Sequence, residues 1–263
     1  MDWYIKFLYT TIIGRSLLWI TTSKTYSNFN ALYLKSRFSQ HKIKTYMQKY
    51  QIDLNDYEAK EYQSFNDFFI RRIKQEKRPI NGGLIAIADA NLTVYQINDD
   101  LTLPIKNTVY EVKDLINDEA LAKKYAGGLC LVYRLSVEDY HHYVFLDDGV
   151  CNKPTKIKGV LHTVRPIATN KYSVYIQNSR EYTILKTKNF GEVIQIEIGA
   201  LLVGKINNLS KEKFIKGEEK GYFEFGGSTI VLLFKPGMIK LAKKFNHQDE
   251  IKVKVGERIG DAV

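Results

Sequence analysis

Residues 223–234 read FEFGGSTIVLLF, an apolar run with two glycines and a hydroxyl pair set inside it. Without Gly226-Gly227-Ser228-Thr229 the run would read as a buried strand. Glycine weakens a strand interior and marks a bulge or a close backbone approach. One explanation is a bulge or tight turn. The other is chemical: the backbone strains so that the Ser228 hydroxyl can reach the carbonyl just before it. Missing side chains at 226 and 227 permit the conformations such an attack requires. The stretch alone leaves both open.

Working outward, the same texture recurs from residue 84. LIAIADANLTVYQI (84–97), GGLCLVYRL (127–135), YSVYIQN (172–178), YTILKTK (182–188) and EVIQIEIGALLVGKI (192–206) are β-branched and aromatic runs. Glycine, asparagine and charged turns separate them, which predicts an all-β unit. KVKVGERIGDAV (252–263) reads as a last strand and turn. Strand–helix alternation, G-x-G-x-x-G and a P-loop are all missing, which excludes a nucleotide-binding α/β fold. Residues 1–78 read as helical. Ser64 fits an N-cap with Asp67 three residues on, Phe65, Phe68, Phe69 and Ile73 follow near helical spacing, and Pro79 stops the helix. The expected class is α+β: a helical N-terminal layer packed on a β-rich sandwich or barrel-like body. Boundaries fall at 1–24 for a membrane-interface helix, 25–83 for the remaining helical region and 84–263 for the body.

The chain has 263 residues, 44% of them hydrophobic, which is enough for a sizeable core. A net charge of +10 favours an anionic partner. The charge is dispersed, with no zinc-finger spacing and no basic recognition helix, which argues against nucleic acid. Two cysteines, Cys130 and Cys151, are too few for a disulfide framework and point to a reduced, intracellular setting. The opening stretch MDWYIKFLYTTIIGRSLLWITTSK carries Trp3 and Trp19 near its ends and Arg15 well inside. A charge at the centre of a membrane helix costs about 2.5–3.5 kcal/mol on insertion scales. No small-residue cleavage site follows, so a signal peptide is not expected. The stretch reads as a helix lying on a membrane surface, or equally as one packed on the protein's own core.

The histidines are His41, His141, His142, His162 and His247. Adjacent His141 and His142, in RLSVEDYHHYVFLDDG (134–149), face opposite sides of a regular strand. No HxxxH, HExxH or cysteine pair supports a metal site. Asp89 is a strand-end turn residue or a buried carboxylate that orients a partner. Asp147-Asp148-Gly149 reads as a hairpin turn. Ser228 lacks the G-x-S-x-G elbow of a conventional serine hydrolase.

SFNDFFIRRIKQEKRPI (64–80), IADANLTVY (87–95), YRLSVEDYHHY (133–143), FGEVIQIEIGALLVGKI (190–206) and FGGSTIVLLF (225–234) together resemble the phosphatidylserine decarboxylases, membrane-associated pyruvoyl enzymes. The likeness covers roughly residues 60–240, with GGST at the family's LGST motif. It implies that Ser228 Oγ attacks the Gly227 carbonyl and that β-elimination cuts the chain between 227 and 228. A β chain of 1–227 and an α chain of 228–263 result. Residue 228 becomes a covalent pyruvoyl cofactor that forms a Schiff base with phosphatidylserine and acts as electron sink for loss of CO₂. The product is phosphatidylethanolamine. By motif position Ser228 matches the nucleophile, Asp89 the family aspartate and His141 the first family histidine, near the substrate carboxylate. The family's self-cleavage base would fall at Val144, which moves no proton, and the family's ADG is Ala88-Asp89-Ala90. His141 itself or His162, in KGVLHTVRP, is then the substitute base. The implied partners are phosphatidylserine, an anionic membrane and the two cut chains, with self-association allowed. The implied location is peripheral, on the cytoplasmic face of the membrane. The alternatives are a non-maturing relative that binds anionic phospholipid without turnover, and a pyruvoyl enzyme for a soluble amino acid.

Overall fold

In a computed structural model the chain is described over residues 2–105, 108–170, 172–201, 205–209, 211–226, 228–245 and 249–263. The apolar runs form a large antiparallel sheet. Its centre is built from Arg180–Thr187, Glu192–Ile198, Ser228–Phe234, Leu129–Leu135 and Ala90–Gln96, in that spatial order. Every residue of Ser228–Phe234 is buried: the apolar run 230–234 reads as a strand covered on both faces, and the hydroxyl pair Ser228-Thr229 is carried inside with it. The sheet is not a closed barrel: its path runs from Lys213–Phe214 at one edge to Ile251–Val253 at the other. Smaller antiparallel sheets complete the body. One joins Ile206–Asn208, Glu219–Phe223 and His142–Val144; another joins Leu84–Ile85, Arg258–Ala262 and Ile239–Leu241. The class is therefore α+β, a helical N-terminal part beside a β-rich body.

The opening stretch is two helices rather than one: α1 (Asp2–Thr10) and α2 (Ile12–Thr21). Thr11 Oγ1 accepts from Gly14 N at 2.9 Å and starts the second helix as its N-cap. A Cβ at Gly14 would lie 2.1 Å from Phe7 O, so only glycine lets α2 sit this close to the end of α1. Both readings of the stretch have a face here. Ile5, Leu8, Tyr9 and Leu18 are buried in the main core, while Trp3 and Trp19 are 77% and 82% exposed.

Helix α3 (Lys24–Lys35) and helix α4 (Lys42–Tyr50) follow, and the FNDFF segment forms the short helix α5 (Phe65–Phe69). Ser64 caps α5 as expected, its Oγ accepting from Asp67 N at 3.1 Å. The reciprocal bond shifts by one residue, because Asp67 accepts from Gln63 N at 3.0 Å. α5 ends at Phe69, well short of Pro79. Ile73 lies in an isolated bridge with Tyr57 instead of on the helix. The cause is Arg71, which turns inward to reach the Phe68 and Phe69 carbonyls at 3.4 Å and the Tyr57 hydroxyl at 3.2 Å. Phe65, Phe68 and Phe69 pack with Tyr46, Leu34, Val137 and Phe225 in a second core.

Two further expectations fail locally. YSVYIQN contains the helical turn Val174–Gln177 rather than a strand. Its β propensity yields to packing, with Val174 and Tyr175 buried and Tyr175 set against Tyr110 at 5.3 Å between ring centres. Asp147-Asp148-Gly149 is not a hairpin turn, because the strands on either side belong to different sheets. Asp147 ties the crossing down instead, accepting from Asn189 N at 2.7 Å and Nδ2 at 2.9 Å.

Candidate active site

Ser228 opens the central strand, opposite Leu135 on one side, while the next residue, Thr229, faces Ile198 on the other. Its side chain is fully buried and its Oγ has no hydrogen-bond partner among the described residues. A buried, unpaired hydroxyl costs about 1–3 kcal/mol. Such a group marks a place where folding is not the purpose of the residue. Gly226 has φ of +140°, a conformation closed to side-chain-bearing residues. Gly227 lies outside the described residues. The approach to the serine is fixed from outside by α5: Asn66 Oδ1 accepts from Phe225 N at 3.3 Å, and Phe225 packs on Phe65 and Phe69.

His141 lies beside this approach. Its carbonyl accepts from Phe223 N at 3.0 Å, and its ring packs at a tilt against Phe69, 4.2 Å between ring centres. Nδ1–H donates to the Asp139 carbonyl at 2.8 Å, and Nε2 is buried on the side of the Gly226 backbone with no hydrogen bond of normal geometry among the described residues. Burial pushes the imidazole down to about 3, reinforced by the nearby Arg71 and His142 charges and opposed by the Asp139 and Gly226 backbone. The ring is therefore neutral at physiological pH and free to accept a proton, but it is a weak base, since general-base catalysis is strongest when the pKa lies near the working pH. This has a thermodynamic consequence. The unfolded chain takes up a proton near 6.5 that the folded chain refuses, so stability falls as pH drops below that value. From pH 7 to pH 5 the expected loss from this residue is about 2 kcal/mol. Urea unfolding at both pH values should show a shallower fall for His141→Gln than for the parent chain; equal slopes refute the assignment.

Asp89 lies in the bend just before Ala90–Gln96 and is a buried carboxylate. It accepts from Arg78 Nε at 2.9 Å and from Val255 N at 2.8 Å. Val144, at the position of the expected base, is buried, and its N donates to Ile87 O at 3.0 Å. Val144 thus sits against the segment that leads into Asp89. His162 is elsewhere, under α1. The Tyr9 hydroxyl accepts from Thr163 N at 3.1 Å and shares a hydrogen bond with His162 Nδ1 at 3.0 Å, and the His162 ring stacks on Tyr172 at 4.8 Å. Burial lowers its affinity for a proton. Among the described residues no hydrogen bond joins Asp89, His141, His162 and Ser228 to one another. The structure brings His141 to the segment before Ser228, and it gives Asp89 an arginine as partner. His142 is stacked between Tyr140 at 4.8 Å and Tyr222 at 5.0 Å, and its Nε2–H donates to Ile70 O at 3.0 Å.

Sequence reasoning passes over a charged pair on the serine's own face of the sheet. Side chains alternate along a strand, so Ser228 and Ile230 share a face, and Glu197 stands across from Ile230. Glu197 is fully buried and accepts from Lys220 Nζ at 2.7 Å and Asn208 Nδ2 at 3.1 Å. Lys220 also donates to Asn208 Oδ1 at 2.8 Å. Burial pushes the Glu197 carboxyl up, and Lys220 pulls it back. The alternating IQIEI suggests that Gln195 and Glu197 face water. They are inside because the sheet of Glu219–Phe223 covers them, and the register irregularity between Glu219 and Gly221 falls at Lys220. No group of three or more histidine, cysteine, aspartate or glutamate side chains suited to a metal occurs among the described residues.

The sequence profile of the phosphatidylserine decarboxylase family matches residues 65–261. The chain belongs to that family and is an enzyme of its class. It is 51% identical to phosphatidylserine decarboxylase proenzyme 2 of Clostridium acetobutylicum over 265 residues, covering 98% of this chain and 91% of the relative. A phosphatidylserine decarboxylase proenzyme of Ruminiclostridium cellulolyticum is 40% identical, covering 97% and 90%, and one of Clostridium botulinum is 39% identical, covering 98% and 92%.

Proposed function

We propose that this chain decarboxylates phosphatidylserine to phosphatidylethanolamine and CO₂ after cutting itself before Ser228. The observation that carries the reading is a buried Ser228 Oγ with no hydrogen-bond partner among the described residues, at the end of a segment that passes a neutral His141, within a chain of this family. His141 Nε2 takes the hydroxyl proton as Oγ attacks the carbonyl carbon of residue 227, and the amide becomes an ester. Loss of a proton from Cα of residue 228 expels the residue-227 carboxylate, and water converts the remaining dehydroalanine into a keto acyl group with release of ammonia. The buried, side-chain-free approach at Gly226 fits such a group at residue 228. When formed, it supplies an electron sink for departure of the substrate carboxylate. In the decarboxylation itself His141 relays a proton to the substrate carbon rather than storing one, since burial keeps its ring neutral. Asp89, held by Arg78 and Val255 N, positions the wall behind Val144.

The reading extends to a peripheral protein on the cytoplasmic face of a membrane. Its support is the exposed apolar surface of the N-terminal helices, Trp3, Ile12, Ile13 and Trp19 with Phe29 on α3. Among the described residues no helix is long and apolar enough to cross a membrane. A second reading, a relative that binds anionic lipid and never matures, has one observation in its favour: Asp89 is engaged by Arg78, and among the described residues no histidine hydrogen-bonds to it.

Single alanine variants separate these readings. His141→Ala is expected to slow self-cleavage about 10²–10⁴-fold, the usual worth of a general base, and His162→Ala to cut normally. Intact-mass analysis should find a 228–263 fragment with a blocked N-terminus in the parent chain. Normal cleavage in His141→Ala refutes its role as base. A parent chain that stays whole on long incubation favours the non-maturing reading.

A further inference from the structure

A cavity of about 340 Å³ lies between the start of α3 and the β body, away from His141 and Asp89. Its rim carries Lys24, Lys156, Lys158 and Lys205. Two other charges in its wall are already used. Glu181 is paired with Lys156 at 3.0 Å, and the Arg180 guanidinium is spent on the backbone carbonyls of Leu115, Ile176, Asn178 and Asp114 at 2.6–3.0 Å. Lys24, Lys158 and Lys205 have no carboxylate partner among the described residues. They converge on one concavity, where their potentials add and field lines are focused. Lys24 also opens α3, whose positive dipole end favours an anion.

Two placements say what kind of anion. The cavity wall includes Gly199. Ile198 pairs with Thr229, so continuing the antiparallel register sets Gly199 across from Ser228. The other side of the cavity is α3, which also carries the exposed apolar residues Phe29 and Leu32. A ligand that fills the space is therefore anionic in the middle and apolar at one end, and its other end abuts Gly199, one strand over from residue 228.

We infer that this basin binds the phosphodiester of the substrate lipid. Lys24, Lys158 and Lys205 hold the phosphate, the acyl chains leave along α3, and the serine amine, a few bonds from phosphorus, is directed to residue 228. The inference rests on the proposed decarboxylase function and adds to it the residues that select a phospholipid over free serine.

The test is calorimetric titration of the full chain with two probes, glycerophosphoserine and inorganic phosphate. The variants are K24E/K158E/K205E and, as a control of equal charge change, K124E/K240E/K243E. Glycerophosphoserine should bind the parent chain more tightly than inorganic phosphate does. Its binding should weaken at least about tenfold in the basin variant and by less than about twofold in the control, as expected when charge-assisted contacts are lost. Equal weakening in both variants overturns the basin. So does failure of glycerophosphoserine to bind the parent chain. Inorganic phosphate binding as tightly as glycerophosphoserine overturns the headgroup assignment in favour of a free-phosphate site. If the charge reversals unfold the chain, K158Q/K205Q gives the same comparison with a smaller perturbation. CO₂ release from phosphatidylserine vesicles is followed in parallel. A chain that releases CO₂ and loses nothing in the basin variant refutes the basin and keeps the decarboxylase; a chain that releases none refutes the decarboxylase and leaves the binding result standing.

Discussion

Ser228→Ala is expected to stay whole at 263 residues, to release no measurable CO₂ from phosphatidylserine, and to fold at least as well as the parent chain. The first two outcomes follow from chemistry: without Oγ there is no nucleophile and no route to a keto group at residue 228. The third follows from the hydrogen-bond census. Truncating a buried serine usually strands its partner, but among the described residues Oγ has no partner to strand. Removing an unpaired polar atom is neutral or stabilising, by up to about 1–3 kcal/mol. Urea unfolding of Ser228→Ala should therefore give a midpoint at or above that of an uncut parent chain, while intact-mass analysis shows no 228–263 fragment. A cut Ser228→Ala chain, or one that still releases CO₂, refutes the nucleophile. A loss of more than about 2 kcal/mol refutes the claim that the hydroxyl contributes nothing to the fold.

The largest effect on stability is expected at Lys220. Lys220→Met removes the cation from a pair that is 2% and 0% exposed and leaves the Glu197 carboxyl without a counter-charge. Breaking a buried pair from one side costs about 3–5 kcal/mol. The loss depends on pH in a defined sense. A carboxyl whose folded affinity for protons exceeds its unfolded affinity favours the folded chain when protonated, and that advantage disappears as pH rises through the folded value. Lys220→Met should thus unfold at steadily lower urea as pH increases from about 4.5 towards 7. The double variant Lys220→Met/Glu197→Leu should recover most of the loss and show a flatter profile, since a well-packed apolar pair replaces an ionic one at little cost. A Lys220→Met chain as stable as the parent at pH 7 refutes the pairing.

Much of the architecture is legible because its signals are local. The apolar run IVLLF (230–234) predicts a buried strand, and Ser64 with Asp67 predicts a helix start; both are present. The Ser228 and His141 neighbourhood is legible only through motif order, since no periodicity brings residues 87 apart in sequence to one place. What escapes prediction is set by contacts distant in the chain. Arg78 closes on Asp89 from a segment that reads as the end of a helix. Lys220 turns inward at an irregularity in register that the alternation of EKGYF does not reveal. The helix expected to run from Phe65 towards Pro79 stops after one turn and a half, because the Arg71 side chain satisfies its last carbonyls from within. VYIQ curls into a helical turn for packing that its own composition does not encode.

Ser228–Phe234 occupies the middle of the large sheet, and the residues after it supply Ile239–Leu241, Ile251–Val253 and Arg258–Ala262 to that sheet and a neighbouring one. A break before Ser228 would leave this piece clamped on both flanks by backbone hydrogen bonds, so the halves would not drift apart in native conditions. Melting would change its molecularity all the same. An uncut molecule unfolds and refolds alone, whereas a severed one must find its other half, and its melting temperature would rise with protein concentration.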